Sequence, residues 1–354
     1  MIRVAINGFG RIGRNAFKVY FDKHRDAMQV VAVNDLVDAT VLADLLKYDS
    51  ISRTWNRKIE GAKLIEDIKT AVDGQLVGKI TVDGVEVATY ATKDPSLLPW
   101  KDLKVDVVIE STGRFTDQEG LQNHITAGAK KVVLSAPAKG GTVGTFLMGV
   151  NEDTYKGEAI INNASCTTNS IAPVAKIMND AFGIQKGMMT TVHAVTAEQN
   201  LVDGPPPGGK ANDLRRARAA FVNIIPTTSG AAISTTEAIP ELKGKFDGMA
   251  LRVPVAVGSI SDFTFLLSKK VTVEEVNKVF EEAAADEPFV GVLAVTREPL
   301  VSTDIIGRSE SSIVDLSLTQ VVDGDLVKVF AWYDNEYGYS NRLIEQVIAV
   351  GNHP

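Results

Sequence analysis

Short apolar runs alternate with helix-periodic segments through the first half of the chain. Arg3 to Asn7 is a β-prone run that ends at glycines, and Ile12 to Asp22 carries apolar residues at helical spacing. Gln29 to Asp35, Val105 to Glu110 and Lys131 to Ser135 are further, nearly continuous apolar runs. Strands of this kind, separated by helices, belong to a parallel sheet covered on both faces. Right-handed crossovers then predict a doubly wound, Rossmann-type α/β domain. The stretch 55–83 is more charged. It shows helical spacing from Ala62 to Ala71 and a hairpin signal at Asp83-Gly84, and it reads as an excursion from the first domain.

After Cys166 the pattern changes. Ser170 to Phe182 is helical in spacing, and longer, alternating strands follow at Gly187 to Ala194, Met249 to Val253, Ser259 to Leu267 and Val327 to Tyr333. A carboxylate-rich helix, Val273 to Ala284, intervenes. Longer strands with such helices predict an α+β catalytic domain with a mixed or antiparallel sheet. The last helix, Ser340 to Val350, is expected to return to the first domain. The domains are thus 1–165 with 335–354, and 166–334. Gly204-Pro205-Pro206-Pro207-Gly208-Gly209 must be loop, because proline and glycine forbid helix and ladder alike.

A chain of 354 residues exceeds one ordinary core and fits two domains. No apolar run is long enough to span a bilayer, and the strand-like start without a basic and then apolar leader pattern sets the expectation of no signal peptide. The net charge of -7, with no basic block, argues against nucleic acid as the main partner. Cys166 is the one cysteine, so no intrachain disulfide forms and a reducing cytoplasm is the expected location. No Cys/His spacing resembles a zinc site, and no metal is expected.

Gly8-Phe9-Gly10-Arg11-Ile12-Gly13 follows a strand and opens a helix. Gly8 permits the tight turn, Gly10 lets backbone approach a pyrophosphate, and Gly13 lets helix pack on strand. Backbone N–H groups and the helix dipole then bind the anion. Asp35 lies where a carboxylate accepts from a ribose 2′-OH and repels a 2′-phosphate, which favours NAD over NADP. A glycine-rich turn without nucleotide is the plainer alternative, and strand, motif, helix, strand and acid in that order argue against it.

Cys166 sits in Ala164-Ser165-Cys166-Thr167-Thr168-Asn169, directly before a predicted helix. A helix N-terminus favours the thiolate, so its thiol is expected to be lowered in pKa. His193, on a strand-like run, could pair with that thiolate and later take a proton. A buried histidine that satisfies a carbonyl is the bland alternative. That bland reading is assigned to His24 and His124, in surface-like helical contexts, and to His353 at the tail.

With these residues assembled, the chain resembles the phosphorylating glyceraldehyde-3-phosphate dehydrogenases nearly end to end. The resemblance rests on the glycine motif from Ala5 to Arg14, Ser111-Thr112-Gly113, Ser135-Ala136-Pro137, Asn163 to Asn169, and Trp332-Tyr333-Asp334-Asn335-Glu336-Tyr337-Gly338-Tyr339-Ser340. It implies NAD-dependent oxidative phosphorylation of glyceraldehyde 3-phosphate to 1,3-bisphosphoglycerate by a homotetramer, through a Cys166 thioester. Gly8, Gly10, Arg11, Ile12, Gly13, Asp35, Thr112, Gly113 and Ser135 would serve the cofactor. Asn335 would position the nicotinamide amide and Tyr339 would position Cys166. Thr196 and Arg252 would anchor the substrate phosphate. Ser165, Thr167, Ser229 and Gly230 would hold the attacking phosphate, with Arg216 nearby. Relative to the family, the loop after His193 is longer, Ser229 replaces a threonine, Ile233 replaces a lysine, Val255 to Gly258 is less polar, and 55–83 carries an insertion expected to be a surface loop. A sister enzyme acting on erythrose 4-phosphate, and a non-catalytic NAD-binding regulatory protein, are the alternative readings.

Overall fold

The computed structural model describes residues 1–140, 142–206 and 213–354. The Pro207 to Gly209 part of the proline-glycine loop therefore lies outside the described residues. The chain divides into two compact units: Met1–Phe146 with Thr154–Ala164 and Leu343–Pro354, and Leu147–Asp153 with Ser165–Arg342. The sequence pattern puts the return to the first unit at 335; in the structure it begins at Leu343.

The first unit runs β1 (Ile2–Asn7), α1 (Arg11–Lys23), β2 (Met28–Asn34), α2 (Ala39–Lys47), β3 (Ile59–Lys63), β4 (Leu76–Val82), β5 (Val85–Tyr90), β6 (Val107–Glu110), α3 (Gln118–Thr126), β7 (Lys131–Leu134), β8 (Gly144–Thr145) and β9 (Ile160–Asn162). These strands form one sheet in the order β8-β9-β7-β6-β1-β2-β5-β4-β3. Pairing is parallel from β8 through β5, and antiparallel from β5 to β4 and from β4 to β3. The apolar runs of β1, β6 and β7 are buried on both faces, as a covered parallel sheet requires. Register sets Asn7 level with Asn34 on one side and with Glu110 on the other. Three polar residues thus share one row at the C-terminal edge of the central strands.

The stretch 55–83 differs from expectation. Ala62 to Ala71 is not a helix; it ends β3 and continues into a 3-10 turn at Ile68–Thr70. Together β3, β4 and β5 extend the sheet rather than leaving it as a surface loop. The hairpin at Asp83-Gly84 joins β4 to β5 as its turn residues predict. The charges Glu60 and Lys63 face solvent on this edge strand, where lysine and glutamate discourage further pairing.

The second unit contains α4 (Cys166–Phe182), β10 (Ile184–His193), β11 (Ile225–Thr228), α5 (Ala231–Ala238), β12 (Phe246–Arg252), β13 (Ser259–Leu267), α6 (Val273–Ala285), β14 (Leu293–Thr296), β15 (Ser312–Asp315), β16 (Gln320–Val322) and β17 (Leu326–Tyr333). Its mixed sheet runs β11-β12-β10-β13-β17-β15-β14, with β16 paired to β17. β13 alternates strictly between buried and half-exposed residues, so one face is covered. α4 packs on that face, with α5 and α6 beside it. The other face leaves Met188 and Met249 exposed and Ile260, Leu266, Phe330 and Trp332 half-exposed. The last helix, α7 (Tyr337–Asn352), begins in this unit and ends in the first.

Candidate active site

Cys166 is the first residue of α4 and His193 is the last of β10. Ser165 is the N-cap of α4; its Oγ accepts from the Thr168 N–H at 3.1 Å, which fixes where the helix starts. Cys166 Sγ stands 3.4 Å from His193 Nε2. The imidazole is buried, and its Nδ1 lies 2.6 Å from the Ala194 carbonyl. Arg252 Nη1 also lies 3.1 Å from Nδ1, but its two hydrogens have acceptors in the Ala194 carbonyl and Thr196 Oγ1, so the shorter carbonyl contact puts the proton on Nδ1 and Nε2 turns its lone pair to the thiol.

Arg252 ends β12, in register with His193. Its Nη1 donates to the Ala194 carbonyl and to Thr196 Oγ1, each at 3.1 Å. Burial and then the Arg252 guanidinium hold the His193 imidazole down at about 3, so it is neutral near pH 7. Burial pushes the Cys166 thiol up, while Arg252 and donors at Thr167 pull it down. This corrects the expectation of a lowered thiol: the helix N-terminus is present, but desolvation outweighs it.

Tyr333 stands beneath this pair. Its hydroxyl lies 2.9 Å from Thr167 Oγ1 and 2.7 Å from Thr191 Oγ1, all buried. The Thr167 hydroxyl is thus engaged by Tyr333. Arg216 donates through Nε to Thr227 Oγ1 at 3.0 Å, and pairs with Glu198 at 2.8 Å and Asp213 at 3.2 Å. It is an engaged cation and not part of a solvated basic face. Ser229 and Gly230 stand at the N-terminus of α5, where Ser229 Oγ accepts from the Ala231 N–H at 3.2 Å. Asn335 Oδ1 accepts from the Gly258 N–H and the Ser259 hydroxyl, each at 3.1 Å. Tyr339 is buried in α7.

The first unit holds a cleft of about 300 Å³ at the C-terminal ends of its strands. Gly8, Gly10, Asp35 and Thr112 line it; Arg11, Ile12, Gly13, Gly113 and Ser135 are not among its lining residues. A side chain at Gly13 would stand 2.1 Å from the Gly8 carbonyl, whereas one at Gly10 would meet nothing within 4 Å. The helix is thus pressed onto the turn while the backbone at Gly10 stays open to a ligand, the division of labour a dinucleotide turn requires. Asp35 accepts from the Phe9 N–H at 2.7 Å, which braces the same turn. Arg11 pairs with Asp49.

The residues 2–118 match the model for the NAD binding domain of glyceraldehyde 3-phosphate dehydrogenase, and residues 165–335 match the model for its C-terminal domain. A glyceraldehyde-3-phosphate dehydrogenase of Streptomyces coelicolor is 48% identical over 99% of both chains. The chain belongs to the glyceraldehyde-3-phosphate dehydrogenase family. The Geobacillus stearothermophilus relative of that name is 49% identical over 97% of this chain and 96% of its own. One from Haloarcula vallismortis is 48% identical over the same shares.

Several residues at the two sites received no role from the sequence. Tyr333 and Thr191 stand under the thiol–imidazole pair, and Ser259 ties Ala194 to Asn335. Asn7, Asn34 and Thr92 line the cleft. Asn7 and Tyr333 lie inside the quoted motifs, and Asn34 is a polar residue that closes an apolar strand. His124 keeps the bland reading but corrects the surface-like context expected for it. It is fully buried between Trp100 and Glu110, because α3 lays that face on the core. Among the described residues no cluster of His, Cys, Asp or Glu is arranged to hold a metal ion.

Proposed function

We propose that the protein oxidises glyceraldehyde 3-phosphate with NAD and inorganic phosphate to 1,3-bisphosphoglycerate, the oxidative step of glycolysis, with Cys166 as nucleophile and His193 as base. The observation that carries this reading is the 3.4 Å approach of Cys166 Sγ to an imidazole nitrogen whose proton sits on the opposite side of the ring. Nε2 accepts the thiol proton, and the sulfur forms a bond to the aldehyde carbon as the carbonyl π bond breaks. Nε2 then returns the proton to the resulting oxyanion, which gives the thiohemiacetal hydroxyl and frees Nε2. Arg252 favours loss of the proton from the sulfur, because its guanidinium stabilises the thiolate. The chemistry that NAD supplies when bound is acceptance of the hydride from the resulting thiohemiacetal. A base at Nε2 takes the hydroxyl proton as the hydride departs, which leaves a thioester on Cys166. Phosphate then adds to the thioester carbonyl, the carbon–sulfur bond breaks, and Cys166 leaves as thiolate.

Buried Arg252 Nε has no hydrogen-bond partner among the described residues. A substrate phosphate oxygen would satisfy it, with Thr196 beside it. Ser165, Thr167, Ser229, Gly230 and Arg216 are the candidates for the attacking phosphate. We extend the proposal to a cytoplasmic homotetramer. The lone cysteine suits a reducing compartment, and the half-exposed apolar face of the second sheet suits burial against another copy. No described helix is long and apolar enough to cross a membrane.

Rapid mixing with glyceraldehyde 3-phosphate and NAD tests the chemistry. A burst of NADH is expected at low phosphate, with sustained turnover once phosphate is added. A Cys166→Ala variant that kept the burst would overturn the assignment.

A further inference from the structure

Glu110 and His124 are fully buried and take no part in the chemistry above. Trp100, also buried, donates its Nε1–H to His124 Nδ1 at 3.1 Å. An indole N–H only donates, so Nδ1 is the acceptor and Nε2 carries the proton. That Nε2–H donates to Glu110 Oε2 at 3.0 Å, and the Asn7 amide donates to the same oxygen at 2.6 Å. Glu110 Oε1 accepts from the Thr112 N–H at 2.8 Å and from the Thr112 hydroxyl. Four donors therefore converge on one carboxylate at the end of β6.

Each oxygen holds a different part of the cleft. Oε1 fixes Thr112, on the loop after β6. Oε2 fixes Asn7, whose Oδ1 accepts from the Asn34 amide at 2.7 Å. Asn34 in turn bonds both ways with the Thr92 backbone, at 2.9 Å each. Asn7, Asn34, Thr92 and Thr112 all line the cleft, while Glu110, His124 and Trp100 do not. We propose that Glu110, with its proton-bearing His124 partner, is a positioning residue for the dinucleotide: one buried carboxylate sets the two walls of the cleft at a fixed separation. The inference rests on the cleft being the NAD site.

A carboxamide cannot replace this carboxylate. In Glu110→Gln the new NH2 must face either the two donors of Thr112 or those of Asn7 and His124, and donor meets donor on whichever side it takes. The affinity of the intact enzyme for NAD, measured by calorimetry, is expected to weaken about tenfold or more, with the KM for NAD rising far more than kcat falls. Alkylation of Cys166 by iodoacetamide in the nucleotide-free enzyme should change less than twofold, since the second unit is untouched. His124→Leu should weaken NAD several-fold, and His124→Gln, which restores a donor, should recover most of the loss. These two variants decide the matter if Glu110→Gln does not fold. Folded variants that bind NAD as the wild type does would overturn the proposal, as would equal weakening by Leu and Gln at 124, or an alkylation rate that fell in step with NAD affinity. Wild-type protein that failed to bind NAD would instead overturn the nucleotide reading beneath it.

Discussion

Arg252 acts on both members of the catalytic pair, and in opposite senses. Its charge disfavours a second proton on His193 and favours loss of the proton from Cys166. Removing the charge in Arg252→Gln takes away stabilisation of the thiolate, so the Cys166 thiol should rise further. The pH midpoint of iodoacetamide alkylation is expected to move upward; a midpoint that stayed put or fell would show that Arg252 exerts no field on the sulfur. His193→Asn should slow acylation by roughly 10²–10⁴-fold, the range for loss of a positioned base. An unchanged single-turnover rate would reduce that histidine to scaffold. Both residues were legible: Cys166 by its polar surroundings before a helix, His193 by its place on the strand that returns from that helix. The direction of the thiol shift was not legible, since desolvation depends on which distant segments close over the sulfur. His124 was misread for the same reason. Its spacing marks a helix face but says nothing of the Trp100 and Glu110 that cover it.

Local chemistry shows most clearly at the helix starts. Asp38 is the N-cap of α2, with its carboxylate accepting from the N–H groups of Thr40 and Val41. The Thr40 hydroxyl, Lys63 and these N–H groups hold it at about 2, below its ordinary 3.8. A carboxylate lowered on folding stabilises the fold above its unfolded value, and that contribution is lost as pH falls through the folded one. The stability gap between wild type and Asp38→Ala, followed by urea unfolding, should therefore be full at pH 6 and narrow from about pH 4 downward. A gap constant over that range would remove the cap from the account. Most elements could be read from periodicity, and β13 matches its predicted range to the residue because it alternates without interruption. β3 could not. A charged strand at the edge of a sheet has no buried face on which a period of two could register, and only its pairing with β4 makes it a strand.

Across the whole molecule, two kinds of hydrophobic pattern separate two kinds of sheet. Continuous apolar runs became parallel strands covered on both faces; alternating runs became a mixed sheet covered on one. Strand order was beyond the pattern, because apolar runs of equal length do not say which neighbours they choose. The uncovered face of the second sheet sets the prediction at this scale. Sedimentation equilibrium at micromolar concentration should give four times the 38.0 kDa chain mass. Charge placed at the exposed Met188, as Met188→Glu, should shift the distribution to smaller species. A wild-type monomer under those conditions would remove the homotetramer from the proposal.

The two ends of the chain meet in the first unit. A side chain at Gly351 would stand 2.7 Å from Ile2, and Lys131 Nζ donates to the carbonyls of Val350 and His353 at 2.9 and 3.0 Å. The ribosome makes the nucleotide-binding half first, yet that half lacks its closing segment until the whole catalytic half has been translated. The apolar surface that this segment will cover stays open for the duration of synthesis, and a newborn chain has its catalytic module complete before its cofactor module.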